Sequence, residues 1–264
     1  MAKKKTPIVE NTSIEAVSAA GGVLFGMAVG NAVGGSVGAA VGGYWGAVVT
    51  PVMASLAKSL LIPRQLERME RVHELGKQKY KAALEKGSRP RAGISFEEYV
   101  QFTEGILLTS KDTYEEKKIP LLANLVAHTP FTNTPIDNML QTLHEAERLS
   151  YRQLCLLSVI DHNDYERDRE QLALSKVPFR NEKDKHLNEL AEGVYQDLNL
   201  MVVDGIIAMV ASEEAGAMMA SGAQFITPYD LRLLYPGRLL VNGLELAGIS
   251  KDETLPLIDV LRST

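Results

Sequence analysis

The chain has 264 residues, a net charge of −5 and one cysteine, Cys155, so an intramolecular disulfide is excluded and the length holds one or two domains. Cys155 lies in the apolar run from Leu154 to Ile160 and reads as a buried thiol of a reducing compartment. Basic residues gather around one apolar stretch near the N-terminus and leave the remainder more acidic still, which argues against nonspecific nucleic-acid binding as the main role.

Residues 1–13 form a polar leader that carries Lys3, Lys4 and Lys5. Residues 14–61 follow, with no charged residue between Glu15 and Lys58. Within them Gly22, Gly26, Gly30, Gly34, Gly38, Gly42 and Gly46 recur at every fourth position. Glycine costs a water-exposed helix about 1 kcal/mol relative to alanine. In a bilayer the backbone is forced to bond internally, and G-x-x-x-G spacing lets helices approach closely. The glycines therefore predict a helix-packing face. A span needs about 20 residues, so the run is long enough for two. A four-residue repeat also drifts by about 40° per step on one helix, which favours two shorter helices. The expectation is a glycine-zipper hairpin, from Ile14 to about Gly30 and from about Val37 to Leu61, broken over Asn31–Ser36.

The flanking charges agree with this expectation. Lys3, Lys4 and Lys5 precede the stretch and Lys58, Arg64, Arg68 and Arg71 follow it, which predicts two spans with both termini cytoplasmic and these basic residues at the membrane surface. Pro51 predicts a kink in the second span, while Tyr44 and Trp45 fall inside that span, away from the interfacial belt that aromatic residues favour. The stretch is too long for a signal peptide and lies behind a polar start. The competing reading is a soluble or amyloid-like core built of small residues.

Pro63 is placed to begin the next helix, a charged one over residues 62–87 with Leu66, Met69, Val72 and Leu75 as its apolar stripe and Gly87 at its end. A helical domain is expected over 88–160. Ser95 and Glu98 form a capping box for its first helix. A second helix is expected over 112–128 with Pro120 inside it, a third from Thr134-Pro135 to about Arg148, and a fourth capped by Ser150. Residues 161–186 read as a charged loop or frayed helix. The C-terminal subdomain, 187–264, opens with a helix through Leu190, Val194, Leu198 and Met201 that Gly205 breaks. Two short apolar runs, 206–210 and 224–227, predict a small β-hairpin of winged-helix type. A helix interrupted near Pro236-Gly237 is expected from Pro228 or Tyr229 to Leu246, and a second capping box, Ser250 and Glu253, before the last one.

The run from Glu115 to Ala127 (EEKKIPLLANLVA), together with Ile136–Leu140 and Leu149–Leu154, resembles three helices of the abortive-infection alpha family of bacterial proteins. Ile226-Thr227-Pro228 through Gly237-Arg238-Leu239-Leu240 resembles that family's close. The resemblance implies a role in phage exclusion and supplies no catalytic residues.

The chemistry-bearing motifs are incomplete. His144-Glu145 would open a zinc-binding H-E-x-x-H site, but Arg148 stands where the second histidine belongs. Asp161, His162 and Asp164 could gather a cation, and a polar helix end uses the same residues. The glycines lack the Lys-Ser or Lys-Thr of a phosphate loop. The expected protein is thus mainly α-helical and non-enzymatic, with no cofactor. It is a phage-defence effector of the bacterial inner membrane that partners lipid, copies of itself and a phage or host trigger protein. The alternative is a cytoplasmic winged-helix-like interaction or regulatory module; a DNA role is opposed by Glu189, Glu192 and Asp197 on the candidate recognition helix, which has no Lys or Arg.

Overall fold

The structure, a computed structural model, describes residues 43–57, 62–90, 95–166, 174–175, 189–210 and 226–263. The chain is mainly helical, with one two-stranded antiparallel sheet near the C-terminus. It divides into two compact units, Met1–Ile136 and Asp137–Thr264, a boundary inside the segment that composition presents as one helical domain. The leader and the first arm of the expected hairpin lie outside the described residues.

In unit 1 the first described element is a π-helical turn, Trp45–Val49, continued by α1 (Thr50–Ala57). Pro51 accounts for the wide turn. It has no N–H, and its ring would press on the carbonyl four residues back, so the chain gains a residue per turn and the Thr50 N–H reaches Trp45 O. Pro63 is a first-turn residue of α2 (Pro63–Glu85), as its missing N–H allows. The Gln65 side chain returns to the Ile62 N–H at 3.3 Å. Gly87, at φ +91°, ends the helix, and the Ser88 N–H bonds back to Ala83 O at 3.0 Å. α3 (Phe96–Asp112) has its full capping box: Glu98 N–H to Ser95 Oγ at 3.2 Å and Ser95 N–H to Glu98 Oε2 at 2.8 Å.

α4 (Ile119–His128) is the centre of this unit. Ile119 and every residue from Leu121 to Ala127 are buried, with α2 and α3 against it. The helix expected over 112–128 is divided in the structure. Asp112 closes α3, a 3-10 turn spans Glu116–Lys118, and Pro120 sits in the first turn of α4, where it breaks no hydrogen bond. The second arm of the hairpin is helical over its described part. It is a π-turn and an eight-residue helix, with Trp45, Ala47, Val48 and Val49 buried. Among the described residues no helix is long and apolar enough to cross a membrane.

In unit 2 α5 (Ile136–Arg148) precedes α6 (Tyr151–Glu166), on which the rest is built. Ser150 and Gln153 cap α6 reciprocally, at 3.2 Å and 2.8 Å. Its residues Leu154, Cys155, Leu156, Leu157, Val159 and Ile160 are all buried, as in a helix enclosed on every side. The helix continues through Asp161 and His162 into the segment that reads as a charged loop. α7 (Glu189–Val203) buries Ala191, Val194, Leu198 and Met201, and Gly205 at φ +67° turns the chain into β1 (Ile207–Met209).

The partner of β1 is β2, Leu231–Leu233, in the register Ile207 to Leu233 and Met209 to Leu231. This corrects the expectation on two points: Ile226 and Thr227 lie outside the second strand, and 231–233 pair as a strand where a helix is expected. Pro228 opens a 3-10 turn that ends at Asp230, which sets Leu231 and Leu233 on one buried face. α8 (Tyr235–Leu244) and α9 (Lys251–Ser263) complete the unit. The Ser250–Glu253 pair is drawn into a tertiary contact, because Glu253 Oε2 accepts from Ser250 Oγ at 3.3 Å and from the Tyr151 hydroxyl at 2.8 Å.

Candidate functional site

The site that the sequence marks out most strongly is the end of the uncharged stretch, and in the structure it enters unit 1 through an aromatic clamp. Trp45 lies with its ring centroid 5.6 Å from that of Tyr80, 5.7 Å from that of Tyr44 and 5.8 Å from that of His73. Tyr44 in turn meets Tyr99 at 5.3 Å, edge to face, and Tyr80 stacks on Phe131 at 5.1 Å. α2 supplies Tyr80 and His73 one above the other, seven residues apart on one face, and Gly76 between them leaves the gap that the indole fills.

Burial governs the chemistry of the clamp. It pushes the Tyr44 and Tyr80 hydroxyls well above the ordinary tyrosine range. It also lowers the His73 imidazole below its usual value, against a smaller opposing pull from Glu74, whose Oε1 lies 3.2 Å from Nδ1. Trp45 Nε1 and His73 Nε2 are buried without a hydrogen-bond partner among the described residues. Such atoms weaken the folded state locally, since each has exchanged water for nothing.

Beside the clamp, three guanidinium groups of α2 converge on one carboxylate. Arg68 Nε meets Glu116 Oε1 at 2.7 Å, Arg71 Nη1 meets Oε2 at 3.0 Å, and Arg64 Nη2 lies 3.5 Å from Oε1. Arg68 is buried, and it also reaches Lys111 O at 3.4 Å. The Arg68 hydrogen bond is the main cause that holds the Glu116 carboxyl below the ordinary range. Arg64, Arg68 and Arg71 stand four and three residues apart on α2 and so share one face. Their common partner lies 45 to 52 residues away on a 3-10 turn, a contact that no local pattern announces.

Of the other expected site residues, Gly22, Gly26, Gly30, Gly34, Gly38, Gly42, Lys3, Lys4, Lys5 and Lys58 lie outside the described residues. Gly46 is described. It is exposed, and a Cβ built on it meets nothing within 4 Å, so on this turn the glycine faces outward and Trp45 inward.

Elsewhere, Arg148 pairs with Glu145 at 2.7 Å and with Asp204, so the incomplete zinc motif is an ion-pair network. Among the described residues no group of three or more His, Cys, Asp or Glu side chains is placed to hold a metal ion. Arg152 pairs with Asp197 and reaches Gly193 O at 3.3 Å, which ties α6 to the acidic helix α7.

No family model matches the chain, and neither the curated proteins nor the solved structures include a match.

Proposed function

We propose that this is a non-enzymatic bacterial protein of the cytoplasmic membrane face, with a resting form that keeps residues 43–57 on unit 1. Its active form releases them to join residues 14–42 in a glycine-faced hairpin within the bilayer. The observation that carries the reading is the Trp45 clamp. The chain's one tryptophan fixes the end of the uncharged stretch in the aromatic core, while Gly46 on the same turn faces open space. Release exposes Trp45, Ala47, Val48, Val49 and Val52, at a cost of roughly 1.5–3 kcal/mol for each of the larger side chains, and frees two buried polar atoms that lack partners. A bilayer recovers that apolar cost. Copies then associate through Gly22 to Gly46, and Lys3, Lys4, Lys5, Lys58, Arg64, Arg68 and Arg71 meet the headgroups. The resemblance to abortive-infection proteins makes phage exclusion the biological setting and a phage or host protein the trigger.

The test uses Trp45 as its own reporter. With vesicles of anionic lipid brominated in the acyl chains, Trp45 fluorescence is quenched when the stretch inserts. Trp45→Ala, which cannot be clamped, raises the fraction of protein that resists carbonate washing. Gly30→Leu with Gly38→Leu keeps the protein in the membrane but abolishes crosslinked oligomers and growth arrest on overexpression, because close van der Waals contact drives association there. Recovery of the wild type and Trp45→Ala alike in the carbonate-soluble fraction would sink the membrane reading.

A second reading rests on the order α7, β1, β2, a helix followed by two antiparallel strands separated by residues 210–230, as in a winged-helix unit. On that reading unit 2 is a protein-interaction module, since the exposed Glu189 and Glu192 on α7 repel a nucleic-acid backbone. Binding of duplex DNA by the full chain at physiological salt would reverse that preference.

A further inference from the structure

Unit 2 holds an open groove of about 560 Å³ between α6, the turn after α8 and α9. Such a volume lies in the range that takes up small molecules, roughly 300–1,000 Å³. One wall is a single stripe of α9. Lys251, Leu255, Ile258 and Arg262 follow one another at four, three and four residues, so they share a face, with the two cations about 16 Å apart along the axis. The middle of the groove is apolar, with Val159 buried at its floor, Ile249 beside it and Leu255 left 46% exposed. Ser158 donates to Leu246 O at 2.9 Å and so holds the turn that forms the opposite lip.

The charges are what give this groove a ligand chemistry. Neither Lys251 nor Arg262 has a hydrogen-bond or ion-pair partner among the described residues, and both are exposed. Asp161 is the one carboxylate in the lining, against the two cations Lys251 and Arg262. An apolar trough with a surplus cation is complementary to a molecule that has one negative head and an apolar body. Arg262 presents the planar donor fork that a carboxylate accepts in two hydrogen bonds, whereas an ammonium offers a point charge.

From these features we infer that the groove is a binding site for an amphiphilic organic monoanion, an acyl or aryl carboxylate. Its head is taken by Arg262 at one end of the stripe, and its body lies along Ile258, Leu255 and Val159 toward Lys251. The site lies within unit 2 and is independent of the clamp.

Titration calorimetry of the full chain with decanoate tests the assignment. Saturable binding with a dissociation constant below about 1 mM is expected, as suits a small ligand in an open groove. Decyltrimethylammonium, with the same chain and the opposite charge, and butyrate, with the same head and little body, bind at least about tenfold more weakly. The double substitution Lys251→Gln and Arg262→Gln alters exposed side chains only and weakens decanoate at least about tenfold, as does Leu255→Asp. Circular dichroism establishes that each variant is folded. No saturable decanoate binding, equal binding of the cationic amphiphile, or binding that survives both variants would overturn the assignment; the last outcome places decanoate on the small-residue stretch instead.

Discussion

A Cβ built on Gly76 would stand 2.9 Å from Cη2 of Trp45. The same Cβ would lie 3.3 Å from the carbonyl oxygen of Ala123, so α2, α4 and the indole meet at a point with no room for a methyl group. Gly76→Ala is therefore expected to destabilise unit 1 by about 1–3 kcal/mol, the usual cost of overpacking, although alanine is the better helix former. Denaturant unfolding followed by Trp45 fluorescence measures this. Gly46→Ala, in open space, is the control and leaves the midpoint unchanged or raises it.

Glu116 fixes an acid limit for unit 1. Its folded-state value is lowered by Arg68, so the stability it contributes is present above the ordinary glutamate value of about 4.3 and is lost as pH falls from there through the folded value. Glu116→Gln removes this acid-range slope from a plot of unfolding free energy against pH. It also leaves Arg68 buried and without its carboxylate, so the variant is less stable than wild type at pH 7. An unchanged acid slope in the variant contradicts the three-arginine arrangement.

His73 acts in a different window. Burial lowers its folded-state value, so the unfolded chain takes up the proton first as pH falls. Unit 1 carries no penalty from His73 above about pH 6.5 and is weakened by the burial of this neutral ring as pH falls from that value to the lower folded value. On the proposed function, acidification through this window also favours release of Trp45. His73→Gln flattens the slope, read from Trp45 quenching by brominated lipid at successive pH values.

Gly237 is the equivalent point of close approach in unit 2. A Cβ there would lie 2.5 Å from Ile206 O, the same oxygen that accepts from the Leu234 N–H at 3.0 Å. The obstacle is backbone fixed at the start of β1 and cannot swing aside as a side chain does. Gly237→Ala is expected to lower the thermal midpoint of the chain, with the loss confined to unit 2 in hydrogen exchange. Protection of Ile207 and Leu233 falls while that of Leu122 in α4 does not.

Local rules reached most of the helices and their ends. Ser95 with Glu98, Ser150 with Gln153, Pro63 and Gly87 act through bonds within four residues, and such bonds are visible in one dimension. The sheet was legible only by half. Ile207–Met209 announces itself through β-branched and apolar residues, but its partner Leu231–Leu233 is three residues long and is selected by register across the pair. The protein contacts of Trp45 were hidden for a similar reason: an aromatic residue in an apolar stretch can be buried in lipid or in protein, and its partners Gly76, Tyr80 and His73 follow about 30 residues later on α2. Arg64, Arg68 and Arg71 carry no sign of Glu116 in their own neighbourhood. Their charge beside the apolar stretch was readable, and the carboxylate that gathers them was not.

The π-turn at Trp45–Val49 gives the junction a sensitivity to length as well as to composition. A wide turn holds one residue more than an α-helical turn, so deleting a single residue within 46–49 lets the backbone close into a regular helix. The indole would then rotate by about 100° relative to α1 and point away from Gly76. In descendants of this gene, therefore, a three-base deletion at this spot would alter the protein more than most substitutions could: Trp45 would leave its place against Gly76 with every side chain of the clamp still encoded.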